Sequence, residues 1–415
     1  MDKKERLQYQ LKETNPWWKK EGWLLEPYVG RRVFSEIEKY LKYRQIIALV
    51  GLRRTGKTTL LLKLIEQTLR NKPSREVLYF SFDDYSSLEI EELLEAYQAL
   101  FPERRVDGAM LYCFDEIQKL ENWQEKIKRL YDTHPSAKIL LSGSESLFIR
   151  KGIKETLAGR IYEFRVAQLT FKEYLEFNGK AGYAAHQLLH KEELIRAYRH
   201  YLKTNGFPEL AAVKDDTVIH KYLKETVVDK ILFKDIPALF GAPRSAPVVG
   251  ELLDIVMCSP GQVIDVSKLA RDMGITRQRA ATYLDYLEKS FLVRKIYNFS
   301  RSLRKQKRAL KKYYPAVVLP VVVEEKFAAC FENSLVWQLD AEFFYRDAYQ
   351  NEVDIVLAGP KQKPLPIEIK TGEVSLRGIR AFMRKFKVRR AKVITLDRAK
   401  KEGNIELVPF YQYIL

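Results

Sequence analysis

From Gln45 onward, apolar runs of strand length alternate with stretches whose apolar positions recur at helical spacing. The pattern predicts strands at Ile46–Val50, Val77–Phe82, Met110–Phe114, Ile139–Ser142 and Ile161–Phe164. Helices are predicted between most of them, over Lys57 to about Arg70, Leu88–Leu100 and Asn122–Tyr131. Continuous apolar strands alternating with helices describe a parallel sheet covered on both faces. Before this region, residues 1–44 read as a polar preface holding Pro16-Trp17-Trp18, Trp23-Leu24-Leu25 and a short amphipathic helix around Phe34–Leu41. From Phe171 to about Ile255 the pattern turns helical, broken at Gly206-Phe207-Pro208.

Further on, Asp265 caps one short helix that stops at Gly274, and Thr276 caps a second that runs to about Glu288. Helix, glycine turn and capped helix is helix-turn-helix punctuation. A strand pair at Phe291–Ile296 and Tyr313–Val323 would flank a basic loop and complete a winged helix. The last segment predicts a helix over Phe327–Leu339, strands at Phe343–Tyr345, Val353–Leu357 and Leu365–Ile369, and then a basic helix. The expected domains are therefore a preface at 1–44, an α/β core at 45–168, a helical segment at 169–248, a winged helix at 249–323 and an α/β domain at 324–415.

Length agrees with several domains, since 415 residues at roughly 100–200 per domain give two to four. With 46% hydrophobic and 30% charged residues, the composition is globular. The longest apolar run, Ala316–Val323, is far below the ~20 residues that span a bilayer, so no membrane association is expected. No secretory leader is visible. Cys113, Cys258 and Cys330 are widely spaced and odd in number, which suits a reducing cytoplasm better than a disulfide framework or a zinc site.

Charge changes the picture more. Lys plus Arg is 72 and Asp plus Glu is 54, a net of +18. Residues 271–315 hold 13 basic and 3 acidic residues, and residues 375–392 hold 8 basic and none acidic. The two stretches thus carry +10 and +8, the whole excess. Positive potential concentrated in this way favours a polyanion, and DNA is the expected partner. The alternative is a pair of solvated basic faces.

The strongest motif is Gly51-Leu52-Arg53-Arg54-Thr55-Gly56-Lys57-Thr58, a complete phosphate-binding loop between an apolar strand and a helix. Its glycines let the backbone turn N–H groups toward phosphate oxygens, and the helix N-terminus adds partial positive charge. ATP is the expected cofactor, with Lys57 on its β- and γ-phosphates, Thr58 on Mg²⁺, and Thr59 and Ser142 as further nucleotide contacts. Downstream, Met110–Phe114 ends in Asp115-Glu116. Asp115 is expected to hold Mg²⁺ through water, and Glu116 to orient and deprotonate the attacking water. Ser142-Gly143-Ser144 ends the next strand, and Arg160 would stabilise transition-state charge in cis or from a neighbouring copy in a homo-oligomer. Asp83-Asp84 reads as a turn or cap. His186 and His190 read as a solvated helix face.

Taken together, Pro16-Trp17-Trp18, the Arg-Arg-Thr-Gly-Lys-Thr loop, Phe82-Asp83-Asp84, Phe114-Asp115-Glu116-Ile117-Gln118, Ser142-Gly143-Ser144, Leu157-Ala158-Gly159-Arg160 and Gly206-Phe207-Pro208-Glu209 resemble one family. It is that of archaeal and bacterial AAA-superfamily P-loop ATPases with a C-terminal domain of unknown function. The resemblance implies an α/β fold: a P-loop NTPase parallel sheet with a helical lid, a winged helix, and a C-terminal domain similar to PD-(D/E)XK nucleases.

The C-terminal residues also read on their own. In Ile367-Glu368-Ile369-Lys370, strand alternation puts Glu368 and Lys370 on one face. With Asp354 on a neighbouring strand, two carboxylates would hold Mg²⁺ while the lysine orients or activates water. Glu332 resembles the additional acid that some such enzymes use. The alternative is an inactive nuclease-like fold. Arg277 and Arg279 at the start of the second helix of the helix-turn-helix, with the basic loop from Arg301 to Lys312, favour DNA contact.

The expected protein is a cytoplasmic Mg²⁺-dependent ATPase acting on or regulated by DNA, with a nuclease-like C-terminal domain that is either a metal-dependent nuclease or inactive. The alternative is a slow nucleotide-gated switch that binds a protein partner.

Overall fold

A computed structural model describes residues 2–20, 22–103, 108–143, 156–240, 245–359 and 363–415. Ser144 lies outside them. The chain divides into two compact units, Met1–Ala167 and Gln168–Leu415.

The first unit is built on strands β1 (Ile46–Val50), β2 (Val77–Ser81), β3 (Leu111–Asp115), β4 (Lys138–Gly143) and β5 (Ile161–Arg165). They form one sheet in the order β2-β3-β4-β1-β5, every pair parallel. All five residues of β1 are buried, as expected for a strand covered on both faces. Ile47 and Leu49 pack with Leu60, Leu61 and Leu64 of the helix Lys57–Leu69. Because the strands are parallel, their C-terminal ends gather at one edge. Val50 there stands level with Gly143 and Arg165, and Ser81 with Asp115.

The preface is more structured than its polarity suggests. A helix over Lys3–Thr14 starts at a capping box formed by Asp2 and Glu5. Behind it, Asn15 donates to the carbonyl of Tyr79 (2.9 Å) and accepts from its N–H (2.7 Å). Trp17 and Trp18 both donate from their indole nitrogens to the carbonyl of Val77. These residues cover the open edge of β2, which would otherwise present unpaired backbone groups.

The second unit holds helices from Phe171 onward and two five-stranded sheets. The first combines β6 (Gln262–Ile264), β7 (Val293–Asn298), β8 (Lys311–Pro315), β9 (Phe343–Arg346) and β10 (Glu352–Val353), in the order β10-β9-β7-β8-β6. The second combines β11 (Ile355–Leu357), β12 (Leu365–Lys370), β13 (Ala391–Thr395), β14 (Lys400–Glu402) and β15 (Ile405–Pro409), in the order β11-β12-β13-β15-β14.

Two expected strands differ. The run expected over Tyr313–Val323 pairs only as far as Pro315, and a helix follows over Pro320–Glu325 with Pro320 in its first turn. Proline fixes a helical φ and lacks the N–H that this position leaves unused, so it starts a helix where hydropathy alone reads a strand. The strand expected over Val353–Leu357 divides at Asp354, and its two halves join different sheets. Val266–Asp272 and Arg277–Lys289 are helices capped by Asp265 and Thr276. Among the described residues, no helix is long and apolar enough to cross a membrane.

Candidate functional site

The loop between β1 and the helix Lys57–Leu69 is shaped by its glycines. Gly51 adopts φ +149°, and a Cβ there would lie 2.3 Å from the carbonyl oxygen of Val166, whose N–H is bonded to Val50 (2.7 Å). No other residue fits that approach. Gly56 is left-handed at φ +88°, as is Arg54 at +65°. The Thr55 hydroxyl donates to the carbonyl of Leu52 (3.0 Å), and the Lys57 ammonium bridges the carbonyls of Gly51 (3.1 Å) and Leu52 (2.7 Å). Lys57, Thr58 and Thr59 form the first turn of this helix, with Thr58 and Thr59 exposed.

Asp115 is the hub of the sheet edge. Its Oδ2 accepts from Thr58 Oγ1 (2.7 Å) and Tyr79 Oη (3.1 Å). Its Oδ1 accepts from the Glu116 N–H (3.1 Å) and from Ser142. Burial pushes the Asp115 carboxyl above its ordinary range, against the hydrogen bonds from Thr58 and Tyr79 and the charge of Lys57. Burial likewise raises Glu116, with Lys57 opposing and the Asp115 charge adding. Glu116 is left-handed at φ +51° and accepts from Gln118. A hydroxyl and a carboxylate side by side at the mouth of the loop are hard oxygen donors suited to Mg²⁺.

The sheet edge thus brings together Gly51–Thr59, Asp115, Glu116 and Ser142. Arg160 is not among them. It precedes β5, where its carbonyl accepts from the N–H of Ile46, at the end of the sheet opposite the loop. Its guanidinium pairs with Asp132 (3.2 Å). Two contributors escape sequence reading. Tyr79 reaches Asp115 from a neighbouring strand, and Arg31 donates to the carbonyls of Thr55 (2.8 Å) and Ala167 (2.7 Å). No local spacing signals either one.

A second constellation lies in the other unit. Asp354, where the chain passes from one sheet to the next, accepts at Oδ2 from the N–H of Ile369 (2.8 Å). Glu368 Oε1 pairs with Lys370 (2.8 Å), while its buried Oε2 has no hydrogen-bond partner. Lys312, on β8, sits among these acids, 2.6 Å from Glu352, 3.2 Å from Glu332 and 4.0 Å from Asp354. The Tyr314 hydroxyl also donates to Glu332 (2.6 Å). Gly378 fixes the position of Glu352, since a Cβ there would lie 1.9 Å from the Glu352 carbonyl oxygen.

Burial raises Asp354 strongly, and the charges of Glu332 and Glu368 add to it. Glu368 is raised by burial against Lys370. For Lys312, burial favours the neutral amine, but Glu332, Asp354 and Glu352 together outweigh it and hold the ammonium charged. The donor chemistry and the unpartnered Glu368 oxygen fit a divalent cation. Even so, among the described residues no three His, Cys, Asp or Glu side chains are arranged to hold one.

The basic stretches divide by burial. Arg271, Arg277, Arg279, Arg301, Arg304, Lys305 and Lys307 are exposed, as are Arg377, Arg380, Arg384, Lys385, Lys387, Arg389 and Arg390. Lys312 is buried, Arg294 pairs with Asp340, and Lys295 pairs with Glu288. Part of the excess charge is therefore internal.

A family profile described as an AAA domain matches residues 43–175, and one for a domain of unknown function matches residues 195–316. With the parallel sheet and its loop, the first match supports an AAA-type P-loop nucleotide-binding fold for residues 43–175. Two uncharacterized proteins of Methanocaldococcus jannaschii are each 25% identical, over 412 and 422 residues, covering 92% of this chain and 90% and 87% of theirs. An uncharacterized protein of Haemophilus influenzae is 25% identical over 253 residues, 58% of this chain and 60% of its own. Among solved structures, the Aeropyrum pernix ORC1 protein in complex with DNA matches with TM-score 0.34 and 15% identity, covering 78% of this chain and 97% of that one. Cdc6p of Pyrobaculum aerophilum matches at 0.32 and 12%, covering 75% and 96%.

Proposed function

We propose that the protein is a cytoplasmic Mg²⁺-dependent ATPase that acts on or is regulated by DNA. One observation carries the reading: the Thr58 hydroxyl and the Asp115 carboxylate meet at 2.7 Å at the mouth of the Lys57 loop, with Glu116 next in sequence. In this reading the loop N–H groups and Lys57 bind the β- and γ-phosphates, and Thr58 and Asp115 hold the metal. Glu116 takes the proton of the attacking water. Bound Mg²⁺ would neutralise charge on the phosphates. Arg160, paired at the far end of its own sheet, would act only on the site of a second copy.

Glu116→Gln should bind nucleotide as tightly as wild type and lose turnover by two orders of magnitude or more, because general-base contributions are ~10²–10⁴. Lys57→Ala should weaken binding itself. Equilibrium binding of a fluorescent ATP analogue, with phosphate release, separates the two, and wild-type turnover in Glu116→Gln would refute the assignment of the base.

DNA contact is supported by the exposed arginines at the start of Arg277–Lys289 and by the exposed basic residues between β7 and β8, as in a helix-turn-helix with a wing. A second reading rests on Asp354, Glu368 and Lys370. Two buried acids with a lysine on the strand beside them support a divalent-cation site facing a phosphodiester, as in the nuclease-like domain proposed for 324–415. Without DNA stimulation, the ATPase core would serve instead as a nucleotide-gated switch.

A further inference from the structure

We propose that Lys312 is a built-in cation that closes the Asp354–Glu368 cluster, so that a divalent cation binds there only when Lys312 leaves. This rests on the reading of that cluster as a cation site and names what controls it.

Lys312 is 4% exposed and lies at the centre of the acids rather than at their rim. Glu332 comes from the helix Phe327–Gln338, Glu352 from β10, and Asp354 from the link between β10 and β11. Three elements thus turn carboxylates toward one ammonium. Alternation along β8 puts Lys312 and Tyr314 on the same face, and the tyrosine hydroxyl holds Glu332 from that side. Both oxygens of Asp354 are engaged, Oδ2 by the N–H of Ile369 and Oδ1 within 4.0 Å of the Lys312 ammonium.

What remains is Glu368 Oε2, in a residue 7% exposed, unpartnered in a cluster otherwise satisfied. Buried carboxylate oxygens normally find a partner. Its carboxylate lies close enough to Asp354 to act on that residue's charge. A divalent ion held by Asp354 and Glu368 would stand beside a buried ammonium and be repelled by it. Lys312 and the ion therefore compete for the same negative charge.

The experiment is Mn²⁺ binding to the full chain without nucleotide, followed by loss of the free-ion electron paramagnetic resonance signal. Lys312→Met should bind Mn²⁺ at least tenfold more tightly than wild type, and Lys312→Arg should behave as wild type. Adding Asp354→Asn or Glu368→Gln should abolish the gain, which also separates this site from the phosphate loop. Lys312→Met leaves buried acids without a counter-charge, so Lys312→Met with Glu352→Gln is measured beside it. That pair replaces an ion pair by neutral groups of similar size, and folding is checked by circular dichroism.

If wild type and the Lys312 variants bind equally, with sensitivity to Asp354→Asn in each, the gate is wrong and the cation site stands. If no variant shows Mn²⁺ binding sensitive to Asp354→Asn, the cation site itself is wrong and the gate falls with it.

Discussion

The side-chain amide of Asn15 gives the edge of β2 the donor and acceptor that another strand would supply. Removing it strands a buried N–H and a buried carbonyl at Tyr79, at about 1–3 kcal/mol for each unmet group. Asn15→Ala should therefore destabilise the first unit by about 2–6 kcal/mol, seen as a fall in melting temperature of roughly 4–24 °C. A melt within a degree of wild type would mean that the amide is not the strand's partner. Sequence could not reveal this, because Asn15 and Tyr79 are 64 positions apart and asparagine after a helix reads as a cap. The loop glycines, Lys57, Thr58, Asp115 and Glu116 were legible because their chemistry follows from fixed spacing and strand ends. Lys312 was hidden by its neighbours: within Lys311-Lys312-Tyr313-Tyr314 it counts as one more surface charge, and only the fold turns it inward.

At the scale of elements, β1 to β4 were legible to within a residue or two, since burial on both faces demands largely apolar runs. The cap residues Asp265 and Thr276 likewise marked their helices. The run Ala316–Val323 was not legible, because hydropathy does not separate a buried strand from a buried helix. Within the helical region, His200 on Lys191–Thr204 is held between the Tyr174 hydroxyl and the carbonyl of Val213 (2.6 Å). Burial pulls its imidazole below the ordinary value, against the Val213 carbonyl and the charge of Asp216, with Lys203 and Lys180 assisting burial. The unfolded chain then binds more protons than the folded one between that lowered value and ~6.5. Stability from this group is present above ~6.5 and is lost as pH falls through the folded value, at no more than about 1.4 kcal/mol per pH unit. Chemical denaturation of wild type and His200→Gln at a series of pH values checks this. The two should diverge below ~6.5, and parallel curves would contradict the assignment.

For the whole molecule, the exposed basic residues of 271–315 and 375–392 make a testable electrostatic claim. Each phosphate contact on duplex DNA should contribute about −0.9 to the slope of log affinity against log salt. Replacing Arg304, Lys305 and Lys307 together by Ser should lower that slope and weaken all sequences about equally. A slope near zero in the unmutated protein would leave these faces as solvated surface. In the proposed function DNA stimulates hydrolysis, and the most direct test is steady-state ATP turnover against duplex DNA concentration, in wild type and Glu116→Gln. Turnover should rise with DNA in wild type and stay near zero throughout in Glu116→Gln. A wild-type rate that DNA does not change, or turnover by Glu116→Gln at the wild-type rate, would contradict that reading.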